Sequence, residues 1–147
     1  MAKTTLSKTF RFEAAHHLPN HDGKCRELHG HSYRLVVYIE GKVNQRVGEP
    51  TEGMVMDFAT ISAAWKKHLE PMLDHKDLNQ QFLFVTTAEN IAAWVLVQFH
   101  DCGIPVDHVE LWETDTSCAM VKFIDVWAND PGMFRALTTV KQEPVPA

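Results

Sequence analysis

A chain of 147 residues holds one domain with a proper core and is too short for two comfortable ones. Its apolar share of 45% and charged share of 22% are ordinary for a globular protein, and a net charge of −5 argues against a nucleic-acid binder, which would carry a basic stripe. A few local Lys or Arg side chains can still hold an anionic ligand on an acidic protein. The three cysteines, Cys25, Cys102 and Cys118, contain no C-x-x-C pair and suit neither a disulfide framework nor a thiolate zinc site. No apolar stretch follows the polar Met1–Thr5, and no run approaches membrane-spanning length, so a reducing cytoplasm with no membrane partner is expected.

Phe10, Phe12, Ala14 and His16 alternate with Arg11, Glu13 and Ala15, the period-2 pattern of a first strand. Residues 19–26 carry Pro, Asn, Asp and Gly and read as a loop. A second strand opens at His29-Gly30-His31, with Tyr33, Leu35, Val37 and Ile39 on one face, and residues 48–53 form another turn. Asp57 is a plausible N-cap for a helix whose stripe is Phe58, Ile61, Trp65, Leu69 and Met72. Thr86-Thr87-Ala88-Glu89 reads as a capping box for a second helix, with Ile91, Trp94, Val95 and Phe99 buried, closed by Gly103 and Pro105. Two final strands are expected over residues 106–113 and 118–127. The domain then spans residues 1–127, and the polar, proline-bearing residues 128–147 are expected to be a C-terminal extension.

The order ββααββ predicts an α+β fold, a four-stranded antiparallel sheet with two helices on one face. Such a sheet leaves two edges open, and pairing between subunits would cover them, so a homo-oligomer is expected.

Two imidazoles at i and i+2 share one face of a strand, and the glycine between them lets backbone and ligand come close. His16, at the end of the neighbouring strand, supplies a third. Three neutral imidazoles with one open position is the usual plan of a catalytic zinc site. His16, His29 and His31 are therefore the predicted metal ligands and Zn2+ the predicted cofactor. His17 competes with His16 but points to the opposite face if the strand continues. Cys25, in a polar loop beside Lys24 and Arg26, would have its thiol acidified by a nearby dication and could serve as base or nucleophile. Asp74-His75 is either a proton-transfer pair or a histidine favoured by a helix C-terminus, and spacing does not separate the two. Glu113, in phase with Val109 and Leu111, puts a carboxylate on an apolar face, where the amidine-like edge of a flat heterocycle would satisfy it.

These residues fall into motifs that resemble the 6-pyruvoyltetrahydropterin synthase / 6-carboxytetrahydropterin synthase family. The matching motifs are Phe12-Glu13-Ala14-Ala15-His16, Cys25-x-x-x-His29-Gly30-His31 and Met56-Asp57-Phe58. Leu73-Asp74-His75-x-x-Leu78-Asn79, Thr87-Ala88-Glu89-Asn90-Ile91-Ala92 and Glu113 complete the set, in the family's order across about residues 6–125. The resemblance implies the tunnelling fold, subunits assembled as a hexamer of two trimers, and active sites between subunits. It implies zinc on His16, His29 and His31, proton abstraction by Cys25, an Asp74/His75 proton-transfer partner, and a pterin substrate anchored by Glu113, with Thr87 assisting.

The implied chemistry starts from 7,8-dihydroneopterin triphosphate. One branch of this lyase family cleaves the side chain to 6-carboxy-5,6,7,8-tetrahydropterin, acetaldehyde and triphosphate, a step toward 7-deazapurines such as queuosine. The other eliminates triphosphate to a pyruvoyl product on the way to tetrahydrobiopterin. The three-residue gap between Cys25 and His29 resembles the carboxy-forming branch. Glu27 departs from it, since some relatives use a loop glutamate to bind and cleave dihydroneopterin to a hydroxymethylpterin. A non-catalytic pterin-binding protein is the alternative of another class.

Overall fold

The computed structural model describes residues 3–129. Strand β1 (Lys3–His16) lies antiparallel to β2 (His29–Lys42) along its whole length, from Lys3 opposite Lys42 to His16 opposite His29. Strand β3 (Lys76–Asp77) runs parallel to β1 at Ala14 and Ala15, while β4 (His108–Thr114) pairs with β2 and β5 (Ser117–Lys122) with β4. The sheet order is β3-β1-β2-β4-β5. Four long antiparallel strands match the expected α+β sheet, and the two-residue β3 is an addition that the hydrophobic pattern could not announce.

Strand β1 begins seven residues earlier than its apolar alternation, which starts at Phe10. Its first half (Thr4, Thr5, Ser7, Lys8, Thr9) is mostly polar on both faces, so only the ladder to β2 reveals it as strand. Farther along, the period-2 pattern selects the core: Phe10, Phe12 and Ala14 of β1 lie beside Tyr33, Leu35, Val37 and Ile39 of β2 and Val109 and Leu111 of β4.

Helix α1 (Phe58–Ala64) is capped by Asp57, whose side chain accepts from the Ala59 N–H. It continues through a wider π-helical stretch (Trp65–Leu69) into α2 (Glu70–Leu73). Pro71 has no N–H for the carbonyl four residues back and its ring crowds that group, which favours a widened turn just before it. A short α3 (Leu78–Gln81) follows β3. Helix α4 (Ala88–Asp101) buries Ile91, Trp94, Val95 and Phe99 as expected, and Ala92, Ala93, Leu96 and Val97 with them.

Two local expectations are corrected. The cap of α4 is Thr87, accepting from the Asn90 N–H at 3.3 Å, so the expected Thr86/Glu89 box slips by one residue and frees Thr86 for another task. The last strand does not run to residue 127: β5 ends at Lys122 and α5 (Phe123–Asn129) takes over. Phe123 and Trp127, four apart, meet with ring centroids at 5.7 Å, and Phe123 stacks on His100 at 3.5 Å. Asp125 interrupts the alternation that Val121, Phe123 and Trp127 suggest, and helical spacing wins. From residue 130 onward the expected extension lies outside the described residues.

Leu35 is fully buried at the centre of this sheet. Replacing Leu35 with Ala is expected to lower unfolding free energy by about 2–5 kcal/mol through lost burial and a residual cavity, read from the urea midpoint.

Candidate metal centre and its surroundings

The register of β1 and β2 builds the site. His16 is the Cα partner of His29, and Ala14 that of His31, so all three histidines fall on the core face at one end of the strand pair. One ligand nitrogen from each lies within 4.8 Å of the others. Ring centroids are 4.7 Å apart for His16 and His29, 4.8 Å for His29 and His31, and 5.2 Å for His16 and His31. His17, the competing candidate, is not in this cluster.

The other ring nitrogens explain the orientation. His16 Nδ1 donates to the Thr86 carbonyl at 2.7 Å, and His29 Nδ1 donates to the Glu27 carbonyl at 2.7 Å. A carbonyl can only accept, so both rings carry their proton on Nδ1 and turn a lone pair inward on Nε2. The Nε2 atoms of His16, His29 and His31 are all buried without a hydrogen bond. Burial pushes His16 and His31 below the ordinary imidazole value; the Thr86 carbonyl and Glu113 oppose it at His16, and Glu113 opposes it at His31. Inward imidazole nitrogens with no hydrogen-bond partner are the kind of donor a metal ion takes, and the residues fit one.

Glu113 comes to this cluster as its strand phase predicted. Its Oε1 is 3.2 Å from His31 Nε2, within ion-pair distance and without the geometry of a hydrogen bond. Glu113 also borders a cleft of about 210 Å³ with Ala88, Glu89 and Ser117, beside the Thr87 cap of α4. Thr87 itself is engaged in capping. Glu27 contributes its backbone carbonyl to His29.

Among the described residues neither Cys25 nor the Asp74–His75 pair is part of the imidazole cluster. Cys25 is a free, half-buried thiol in a single helical turn (Lys24–Arg26), its carbonyl accepting from the Leu18 N–H at 2.7 Å. Asp74 Oδ1 accepts from the Glu13 N–H at 3.0 Å and Oδ2 lies 2.9 Å from His75 Nδ1. The Glu13 N–H, then the His75 ring, hold the Asp74 carboxyl below the usual carboxylate range. His75 adopts φ of 57°, a left-handed conformation uncommon outside glycine, and leaves its ring exposed. It borders a cleft of about 360 Å³ with Glu13, Gly30, His31, Ser32 and Lys76. A Cβ at Gly30 would come no closer than 3.6 Å to the Ala14 carbonyl, so glycine there leaves the cleft wall open and is not demanded by packing.

Tyr33 and Thr86 had no functional reading in the sequence. Tyr33 extends the His29/His31 face by one step, packs 5.5 Å from the His31 ring, and has a buried hydroxyl without a partner. Burial, then the Glu113 charge, pushes its phenol well above the ordinary range. Its i+2 phase from His31 was the available signal; nothing local marks Thr86, whose role is a carbonyl 70 residues from His16.

The family model for 6-pyruvoyl tetrahydropterin synthase matches residues 5–123, and the chain belongs to that family and is an enzyme of it. A Synechocystis protein named 6-carboxy-5,6,7,8-tetrahydropterin synthase is 48% identical over 120 residues, covering 78% of this chain and 89% of that one. A Haemophilus influenzae protein of the same name is 34% identical, covering 76% of this chain and 94% of its own length. The structure of Caenorhabditis elegans 6-pyruvoyl tetrahydropterin synthase superposes with a TM-score of 0.71 at 28% identity, covering 83% of this chain and 96% of that one. Among the described residues no helix is long and apolar enough to cross a membrane.

The lowered His16 and His31 values set a pH dependence for the metal-free protein. Between the folded values and 6.5 the unfolded chain binds more protons, so stability is full above 6.5 and falls as pH drops through that window. Urea midpoints of metal-free protein, taken from about pH 8 to about pH 5, are expected to decline below the ordinary histidine value. A profile flat across that range would contradict the buried neutral imidazoles.

Proposed function

We propose that the chain is a zinc-dependent lyase that converts 7,8-dihydroneopterin triphosphate to 6-carboxy-5,6,7,8-tetrahydropterin, acetaldehyde and triphosphate, in the cytoplasm, toward 7-deazapurines such as queuosine. The observation that carries this reading is the trio of inward Nε2 atoms on His16, His29 and His31 with the Glu113 carboxylate directly beside them. Two curated relatives that carry the 6-carboxytetrahydropterin synthase name support this branch.

Zinc on the three imidazoles would act as a Lewis acid toward the side-chain hydroxyls of the substrate. Glu113 would take the amidine edge of the pterin in two parallel hydrogen bonds in the cleft it shares with Ala88 and Glu89, with Thr87, next in sequence to Ala88, assisting. Cys25 would remove the proton. Asp74 would hold the His75 ring through Nδ1, leaving Nε2 to pass a proton on the other side of the substrate.

Neither Cys25 nor Asp74–His75 bonds to the imidazoles within one chain among the described residues. Among the described residues β3 covers β1 only at Ala14 and Ala15 and no strand pairs with the outer edge of β5, so both edges stand open. Both facts support a homo-oligomer, a hexamer of two trimers, whose sites are completed between subunits.

Zinc-loaded protein incubated with the triphosphate is expected to yield a carboxypterin by mass, with acetaldehyde. Cys25→Ala is expected to abolish turnover and keep zinc, whereas His31→Ala loses both. Glu113→Gln is expected to lower kcat/KM by about 10–100-fold, the worth of a charged hydrogen bond. A hydroxymethylpterin that disappears in Glu27→Gln would move the reaction to the folate-type cleavage, and a pyruvoyl product to the sister branch. Pterin binding without conversion would make this a binding protein.

A further inference from the structure

We propose that Asn79 is a positioning residue for the metal ligand His16, tying the backbone that carries this histidine to the carbonyl that holds its ring. The proposal rests on reading His16, His29 and His31 as metal ligands; it does not depend on which pterin is turned over.

Asn79 opens α3, where the Asp77 side chain accepts from its N–H at 3.0 Å. Its side chain then makes contacts in two directions. Oδ1 accepts from the His17 N–H at 2.9 Å, and Nδ2 donates to the His17 carbonyl at 2.9 Å, a reciprocal clamp on the residue after His16. Oδ1 also accepts from Thr86 Oγ1 at 3.4 Å. The Thr86 carbonyl is the acceptor that fixes the proton and plane of the His16 ring.

An imidazole ligand is placed by its Cα and by the partner of its second nitrogen. At His16 one amide side chain reaches the structures that set both. The approach starts upstream, since Asp74 and His75 bind the Glu13 backbone and β3 follows Ala14 and Ala15 before Asn79 grips His17. Residues 74–79 thus close along β1 up to the ligand. The clamp requires a donor and an acceptor on one short planar group: aspartate lacks the donor and leucine lacks both.

The test compares wild type, Asn79→Ala, Asn79→Asp and Thr86→Val for zinc affinity, by competition with a chromophoric chelator, and for the absorption spectrum of the cobalt-loaded protein. Asn79→Ala is expected to bind zinc about 10–100-fold more weakly and to shift the cobalt bands, because the ring is no longer held in place. Thr86→Val keeps the carbonyl but removes a hydroxyl that lies 3.4 Å from both Asn79 Oδ1 and His16 Nδ1, so a smaller loss is expected there and only the Asn79 variants isolate the clamp. Ile61→Val, on the buried face of α1, reports what lower stability alone does and is expected to leave both readouts unchanged. Asn79→Ala with wild-type zinc affinity and an unaltered cobalt spectrum would overturn the proposal. If that variant does not fold, Asn79→Asp, which keeps the acceptor and loses the donor to the His17 carbonyl, decides it, and wild-type values there overturn it equally. Wild-type protein that takes up no zinc would remove the metal reading, and this proposal with it, whatever the pterin assay shows.

Discussion

Leaving a buried polar atom without a partner costs roughly 1–3 kcal/mol, and this chain does so with Nε2 of His16, His29 and His31 at one end of a single strand pair. That placement follows from the β1–β2 ladder, which puts His16 opposite His29 and lets His31 share their face. The face is otherwise the hydrophobic core: Phe12 and Tyr33 stack directly behind the imidazoles with centroids 4.7 Å apart. The same alternation that builds the core therefore delivers the ligands, and stacked aromatic rings support them from within.

The turn before α4 ties the helix to the histidine cluster. Its consecutive threonines divide the work: the Thr86 carbonyl holds the His16 ring, and the Thr87 hydroxyl caps the helix. Asn90 secures the turn from the helix side, donating to the Val85 carbonyl at 2.9 Å. Helix α4 is apolar around nearly its whole circumference, packed against β4 and β5 on one side and the π-helical stretch on another. A helix buried to this extent cannot rotate or slide without exposing core, so the carbonyl it presents to His16 is fixed by packing far from the site.

The proton-transfer candidates occupy different ground. Cys25 sits in a loop turn and Asp74–His75 at the outer edge of β1, where an exposed ring held by a left-handed backbone faces an open cleft. The left-handed backbone at His75 is a local cost that the Asp74 contact and the Glu13 backbone hold in place.

Much of this protein was legible in one dimension because its signals are local. Alternation at Phe10–His16 and Tyr33–Ile39, the Asp57 cap, the stripe of α4 and the phase of Glu113 with Leu111 each depend on residues within a turn or a strand of one another. The His-x-His pair and the upstream His16 pointed to a metal for the same reason. Where local signals conflicted or were mute, the three-dimensional fold decided. It shifted the α4 cap to Thr87, turned residues 123–129 into helix and made a strand of the polar residues 3–9. It also brought Thr86 to His16 across 70 residues of chain, through a backbone carbonyl, and Asn79 to His17 across 62, through an amide clamp. A carbonyl is present at every position and an asparagine suits any turn, so neither shows its partner until packing sets the distance.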